Sequence, residues 1–362
     1  MGLRWALLAV VVACAEWPVS QSRAQDTDEL KQLVDRIARG SERDSADAAE
    51  QLVERLIGPV AKALGSMQSR PAEEQVRIRR ALARLSAALR VRLMRTDLEE
   101  QDRKLFDAFA GRYPELVEQL FDDDSRLRLV ALRRLPIEPD IGAGVLVAAK
   151  VDDPDEDVAV AALEVAAELK DAAVVRGLTR YVAGATEALK SGFYGPDDQE
   201  VAVTVALFVS RAAKILTDAG ARGSVPQIAE ALDVLGRSGY RAVFDTPGIA
   251  LGLGELRDER AVAALLKLLP DQRRHNVKSL GPGKLLTQTH GDAALFALVR
   301  IYGLDPGAFG LRDARPKGEF FGFLTPEARE KGHRGFLKWH QANAEKPAAK
   351  RALPTTRPAE KG

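Results

Sequence analysis

A turn that recurs along the chain constrains the fold more than any other feature. Glu168-Leu169-Lys170-Asp171-Ala172-Ala173-Val174-Val175, followed by Leu178 and Val182, matches Glu255-Leu256-Arg257-Asp258-Glu259-Arg260-Ala261-Val262, followed by Leu265 and Leu269. Leu216-Thr217-Asp218 offers the turn again, with Val225, Ile228 and Leu232 after a three-residue insertion. In each copy one helix is expected to end at Leu-x-Asp. The next opens with apolar residues at i, i+3 and i+7, the spacing of a buried helical stripe. The Asp is placed to cap that second helix. Self-similarity of this kind marks a chain assembled from stacked supersecondary units.

A second signature marks the other turn of the unit. Asp122-Asp123-Asp124-Ser125-Arg126-Leu127, then Ala131-Leu132, aligns with Asp153-Pro154-Asp155-Glu156-Asp157-Val158, then Ala162-Leu163. Acidic residues and Ser or Pro supply an N-cap, and their charge is favourable beside the helix N-terminal dipole. The following helix is predicted to bury Val158, Ala162, Val165, Ala166 and Leu169 on one face. Its small alanines permit close helix approach.

Together these signatures make the chain from about Pro114 to Leu269 resemble a HEAT-repeat protein, of the armadillo-like helical class found among exported bacterial proteins. The resemblance implies an all-α fold, an α-solenoid of antiparallel helical hairpins wound into a right-handed superhelix. Two departures stand against the family pattern. Its usual Val-Arg entry is Val158-Ala159 in one copy and Leu127-Arg128 in another, and Ser191-Gly192-Phe193-Tyr194-Gly195-Pro196 inserts a loop.

Composition agrees with helices packed on helices. At 362 residues the chain exceeds a usual single core, and an elongated repeat array needs none. Aromatic residues make up only 6%, and small aliphatics dominate, which disfavours a sheet-built protein. The 53 basic and 52 acidic residues leave no global charge that would select nucleic acid or an acidic surface as partner.

The N-terminus reads as an address. Met1 to Arg4 forms a short positive region and Trp5 to Ala15 an apolar stretch too short for a stable span. Ser22-Arg23-Ala24 before Gln25 offers small residues for signal cleavage after Ala24, giving a signal peptide over 1–24. Val11-Val12-Ala13-Cys14 resembles a bacterial lipobox, in which Cys14 would be lipidated and become the mature N-terminus. The expected location is periplasmic or extracellular, or membrane-anchored if Cys14 carries lipid. Nucleic acid is not expected as a partner of an exported chain. Cys14 is the only cysteine, so disulfides, cysteine-ligated zinc and a cysteine nucleophile are excluded from the folded body. No later apolar run reaches the 18 or so residues that cross a bilayer.

The flanks carry helical periodicity without the signatures. Asp28 to Ile37, Ala46 to Leu64, Ala72 to Arg95 and Leu98 to Ala110 read as degenerate or capping helices over 25–113. Residues 114–270 hold the HEAT-like repeats. Over 271–343 a last repeat is expected, with Gly291 to Tyr302 as an apolar helix, then a Gly/Pro-rich segment with Phe309, Phe320, Phe321 and Phe323. Thr325-Pro326-Glu327 caps a closing aromatic helix containing Phe336, Leu337 and Trp339. The Lys/Ala/Pro/Thr-rich tail over 344–362 is expected to be disordered.

Candidate binding residues fall in two basic places. Arg77, Arg80 and Arg84 lie in a segment from Val76 to Arg95 that contains no acidic residue. They suit phosphate, an anionic glycan or an acidic partner, or else form a solvated face paired with Glu99, Glu100, Asp102 and the Asp122 to Asp124 turn. Arg273, His275, Lys284 and His290 bracket a long, basic, Gly-rich loop on a helical scaffold, a place where function concentrates. Gly281-Pro282-Gly283-Lys284 fails the phosphate-loop spacing, because Lys278 stands where the first Gly is needed and Leu285 where Ser or Thr is needed. Thr289-His290-Gly291-Asp292 reads as an N-cap turn. His333 and His340 share a helix face, but a metal site would need a third ligand. The expected function is therefore a protein-binding scaffold in the cell envelope, without catalysis, cofactor or metal. The alternatives are an enzyme or enzyme subunit with its site in the 275–290 loop, and a lipid-tethered adaptor.

Overall fold

The computed structural model describes residues 91, 94–95, 98–136, 142–191, 199–237, 244–281, 284–312 and 321–346. Cys14, Ala24, Arg77, Arg80, Arg84 and most of the expected N-terminal helices lie outside the described residues, as does the tail beyond Lys346. The described chain is mostly helical. It divides into two compact units, Met1–Gly177 and Leu178–Gly362, taken here in turn.

The first unit contains α1 (Glu100–Arg112), α2 (Pro114–Leu120), α3 (Ser125–Arg134), α4 (Ala143–Lys150), α5 (Glu156–Leu169) and the start of α6 (Ala172–Lys190). Pro114 at a first helical position, where its missing N–H costs nothing, separates α1 from α2. Helix α1 packs on α2 and α4, and α5 packs on both α3 and α4. The acidic turns behave as the sequence predicts. Asp124 accepts a hydrogen bond from the Arg126 backbone N–H at 2.9 Å, and Asp155 from that of Val158 at 3.3 Å.

Arg128 is buried and joins the two acidic turns. Its guanidinium donates to both oxygens of Asp153, at 2.8 and 3.1 Å, and to the carbonyls of Asp122 and Asp123 at 2.8 and 3.0 Å. Lys150 adds a second cation 3.1 Å from Asp153 and lies over the Phe121 ring. Both cations share one buried carboxylate, so the Arg that departs from the other copy is a structural tie. Arg95 pairs with Asp107 rather than with the acidic residues named as its candidate partners.

The repeated turn has a common local cause. Lys170 at the end of α5 has φ 48°, and Arg257 in the second unit has φ 51°; they are the only non-glycine residues with positive φ among those described. Each occupies the x of Leu-x-Asp, where a left-handed residue closes the helix. The following Asp caps what comes next: Asp171 accepts from Val174 N–H at 2.7 Å, Asp258 from Arg260 N–H at 2.9 Å.

The third copy departs from that expectation. Helix α7 (Gln199–Asp218) runs through Leu216-Thr217-Asp218, and Gly220, at φ 69°, takes the left-handed position instead. Thr217 Oγ1 bonds back to the Lys214 carbonyl, and Asp218 pairs with Lys214 one turn earlier. The three inserted residues move the turn, so Asp218 caps nothing.

The second unit continues with α8 (Val225–Arg237), α9 (Thr246–Leu256), α10 (Val262–Leu268) and α11 (His290–Ile301). Their contacts alternate. Helix α7 packs on α9 and α9 on α11, α8 packs on α10, and successive helices meet across the two rows. Glycines set the closest approaches. A Cβ on Gly254 would lie 2.7 Å from Ala297 Cα in α11, and one on Gly252 would lie 2.4 Å from Thr217 Cβ in α7.

The expected Gly-rich loop is a β-hairpin. Strands β1 (Arg274–Gly281) and β2 (Lys284–Thr289) pair antiparallel, with Val277 opposite Thr287 and Ser279 opposite Leu285. The far edge of β2 is bound by Phe323, which exchanges two backbone hydrogen bonds of 3.1 Å with Thr287. Helix α12 (Pro326–Asn343) closes the unit, capped by Thr325 as predicted. Phe296 stacks on Phe321 at 4.3 Å, and Phe309, Phe336 and Trp339 are buried together around it. Leu337, expected in that aromatic core, faces outward. No helix among the described residues is long and apolar enough to cross a membrane.

Candidate functional site

The base of the hairpin gathers most of the polar chemistry of the second unit. Thr289 opens α11 with a reciprocal capping box: its side chain accepts from the Asp292 N–H at 3.2 Å, and Asp292 Oδ2 accepts from the Thr289 N–H at 2.9 Å. The cap turn predicted for Thr-His-Gly-Asp is therefore present. Gly291 is required there, because a Cβ would lie 2.2 Å from the Leu269 carbonyl oxygen.

Asp292 does more than cap. It is fully buried, and Arg329 Nε sits 3.0 Å from both carboxylate oxygens, with His333 Nε2 3.1 Å from Oδ1. Arg329 also donates to the carbonyl and hydroxyl of Thr287, at 3.1 and 2.7 Å. One carboxylate thus ties α11, β2 and α12 together. Such a buried cluster demands every partner, since an unpaired charge in this setting is costly.

Next to it lies a second cluster, around His290. Its Nδ1 shares a 2.7 Å hydrogen bond with Thr246 Oγ1 and stands 3.7 Å from Asp271, while the exposed His275 ring meets it edge-on at 6.1 Å. Arg273 grips Asp271 through Nε at 2.8 and 3.0 Å. Burial pushes the His290 imidazole below its ordinary pKa; Arg273 and His275 add to that, against the carboxylates of Asp271 and Asp245. For Asp271, burial alone would raise the pKa, but the hydrogen bonds from Arg273 hold it below the carboxylate norm.

The structure thus brings Arg273, His275 and His290 together, as candidates from one stretch of sequence. Lys284 opens β2 opposite Gly281, at the far end of the hairpin. Thr246, Asp271, Asp292, Arg329 and His333 join these clusters without having been singled out. The signal for two of them was available: Arg329 and His333 lie four apart, in phase with buried Phe336 on α12. His340, the other histidine of that face, bonds Tyr302 Oη at 3.1 Å. Thr246 is only 2% exposed, so the hydroxyl that meets the imidazole is closed to a substrate in this conformation. Comparison with protein-family models, with curated proteins and with solved structures finds no match to the chain.

Proposed function

We propose that this chain is an exported, HEAT-like helical scaffold that binds a protein partner in the cell envelope, with no catalysis or cofactor of its own. The observation that carries the reading is the two-row packing of α7 to α11, where each helix meets its neighbour and its next-but-one. Repetition of that arrangement generates a right-handed solenoid, and a solenoid offers an extended surface whose residues vary without disturbing the core. The left-handed closures at Lys170 and Arg257 support the same repeat unit. Export rests on the leader-like residues before Gln25, and lipidation at Cys14 would place the same scaffold on a membrane.

Three measurements test the reading together. The mature N-terminus, by mass spectrometry, is expected at Gln25 or at a lipid-modified Cys14. Small-angle scattering is expected to give an elongated particle. Affinity capture from an envelope extract is expected to recover one protein at constant stoichiometry, undiminished by His290→Ala. Retention of Met1, a globular scattering profile, or turnover abolished by His290→Ala would overturn it.

A further inference from the structure

The β-hairpin has an unusual surface. Three of the seven large apolar side chains exposed among the described residues stand on it: Val277, Leu280 and Leu285, at 46, 45 and 53% exposure. Val277 and Leu285 share a face, because Leu285 pairs with Ser279, two residues from Val277. Leu280 has the opposite parity, so aliphatic side chains stand on both sides of the ribbon near its end. From Gln272 to Gly291 the sequence holds Arg273, Arg274, Lys278 and Lys284 and no Asp or Glu. Arg273 is engaged by Asp271; Arg274 is exposed along β1 and Lys278 half-buried there.

Exposed aliphatic groups flanked by cations of one sign are the pattern of an interfacial membrane contact. The apolar groups enter the headgroup boundary and the cations meet anionic lipid. A second copy of the chain fits poorly, since two such ribbons edge to edge would oppose like charges. A bound peptide would use a groove, whereas these side chains project from both faces of a ribbon.

We propose that the hairpin is a membrane-contact element that seats Val277, Leu280 and Leu285 at the surface of an anionic bilayer, with Arg274 and Lys278 supplying the charge. The proposal stands apart from the scaffold reading, which concerns a protein partner and the helical rows.

The test uses the full chain with Cys14→Ser, which removes the only native thiol, and Leu285→Cys labelled with an environment-sensitive fluorophore. Vesicles of phosphatidylglycerol with phosphatidylcholine should shift its emission to the blue and raise it severalfold, while pure phosphatidylcholine should not. The same label introduced by Val130→Cys, an exposed position far along the sequence, should stay in water. Arg274→Glu with Lys278→Glu should weaken vesicle affinity by about tenfold or more. A salt titration of the labelled chain reads the same dependence without those substitutions, should they impair folding. A probe at position 285 that stays aqueous with anionic vesicles overturns the proposal. So does an equal response to neutral vesicles, or a shift produced without lipid by concentrating the protein or adding an acidic polypeptide.

Discussion

The second unit contains two regions built on different physics. From α7 to α10 helices meet through small aliphatic side chains and glycines, and their turns are fixed by residues adjacent in sequence. From Asp271 to Asn343 the fold depends on one buried carboxylate, whose partners lie 37 and 41 residues away, and on a packed aromatic cluster. The comparison teaches that a repeat array and its C-terminal cap can share a helix boundary, since α11 packs on α9 and α10, while differing in what holds them. The first is sensitive to volume, the second to charge.

The sharpest way to break that contrast is Asp292→Ala. It leaves Arg329 and His333 buried without their acceptor, and the loss should be about 3–5 kcal/mol by urea denaturation. A loss no greater than that of a surface substitution would mean that the cluster does not hold the cap. In the helical rows the corresponding vulnerability is steric. Gly254→Ala forces a methyl group against Ala297 of α11 and should cost about 1–3 kcal/mol, read the same way.

Smaller effects probe the turns. Gly220→Ala should cost about 1 kcal/mol, because its left-handed backbone is strained for a residue with a Cβ even though the space around it is open. Arg257→Gly should gain up to about 1 kcal/mol by relieving the same strain at the end of α9. Opposite signs at these two positions would establish that Gly220 has taken over the role of the x residue in Leu-x-Asp.

The smallest effect is the pH dependence from His290. Its folded pKa lies below its unfolded value, so the unfolded chain takes up the proton first as pH falls. Stability from this group is fully present above about pH 6.5 and declines below it, down to the folded pKa. Thermal melts should therefore show Tm falling between about pH 7 and 5, with a shallower slope in His290→Asn. An unchanged slope would remove His290 as the source.

How much of this was legible follows from the same contrast. The Lys170 and Arg257 turns were readable because a left-handed closure and an Asp cap are local events written within a few residues. The Leu216 copy misled because its insertion lets the helix run on, and nothing in Leu-Thr-Asp forbids a further turn of helix. The hairpin was read as a loop, although Gly281-Pro282-Gly283 between a Val-containing run and a Thr-rich run is a strand-turn-strand pattern. Asp292 was seen as a cap, which is a short-range role. Its pairing with Arg329 and His333 depends on how α12 returns across β2, and periodicity along one helix carries no record of that.

Hydrogen exchange on the Asp292→Ala chain tests most directly whether charge holds the cap while packing holds the rows. The account predicts that amides of β2 and α12 lose protection by several orders of magnitude, while α7 and α8 keep theirs. Uniform loss of protection from α7 to α12, or unchanged protection in α12, would contradict it.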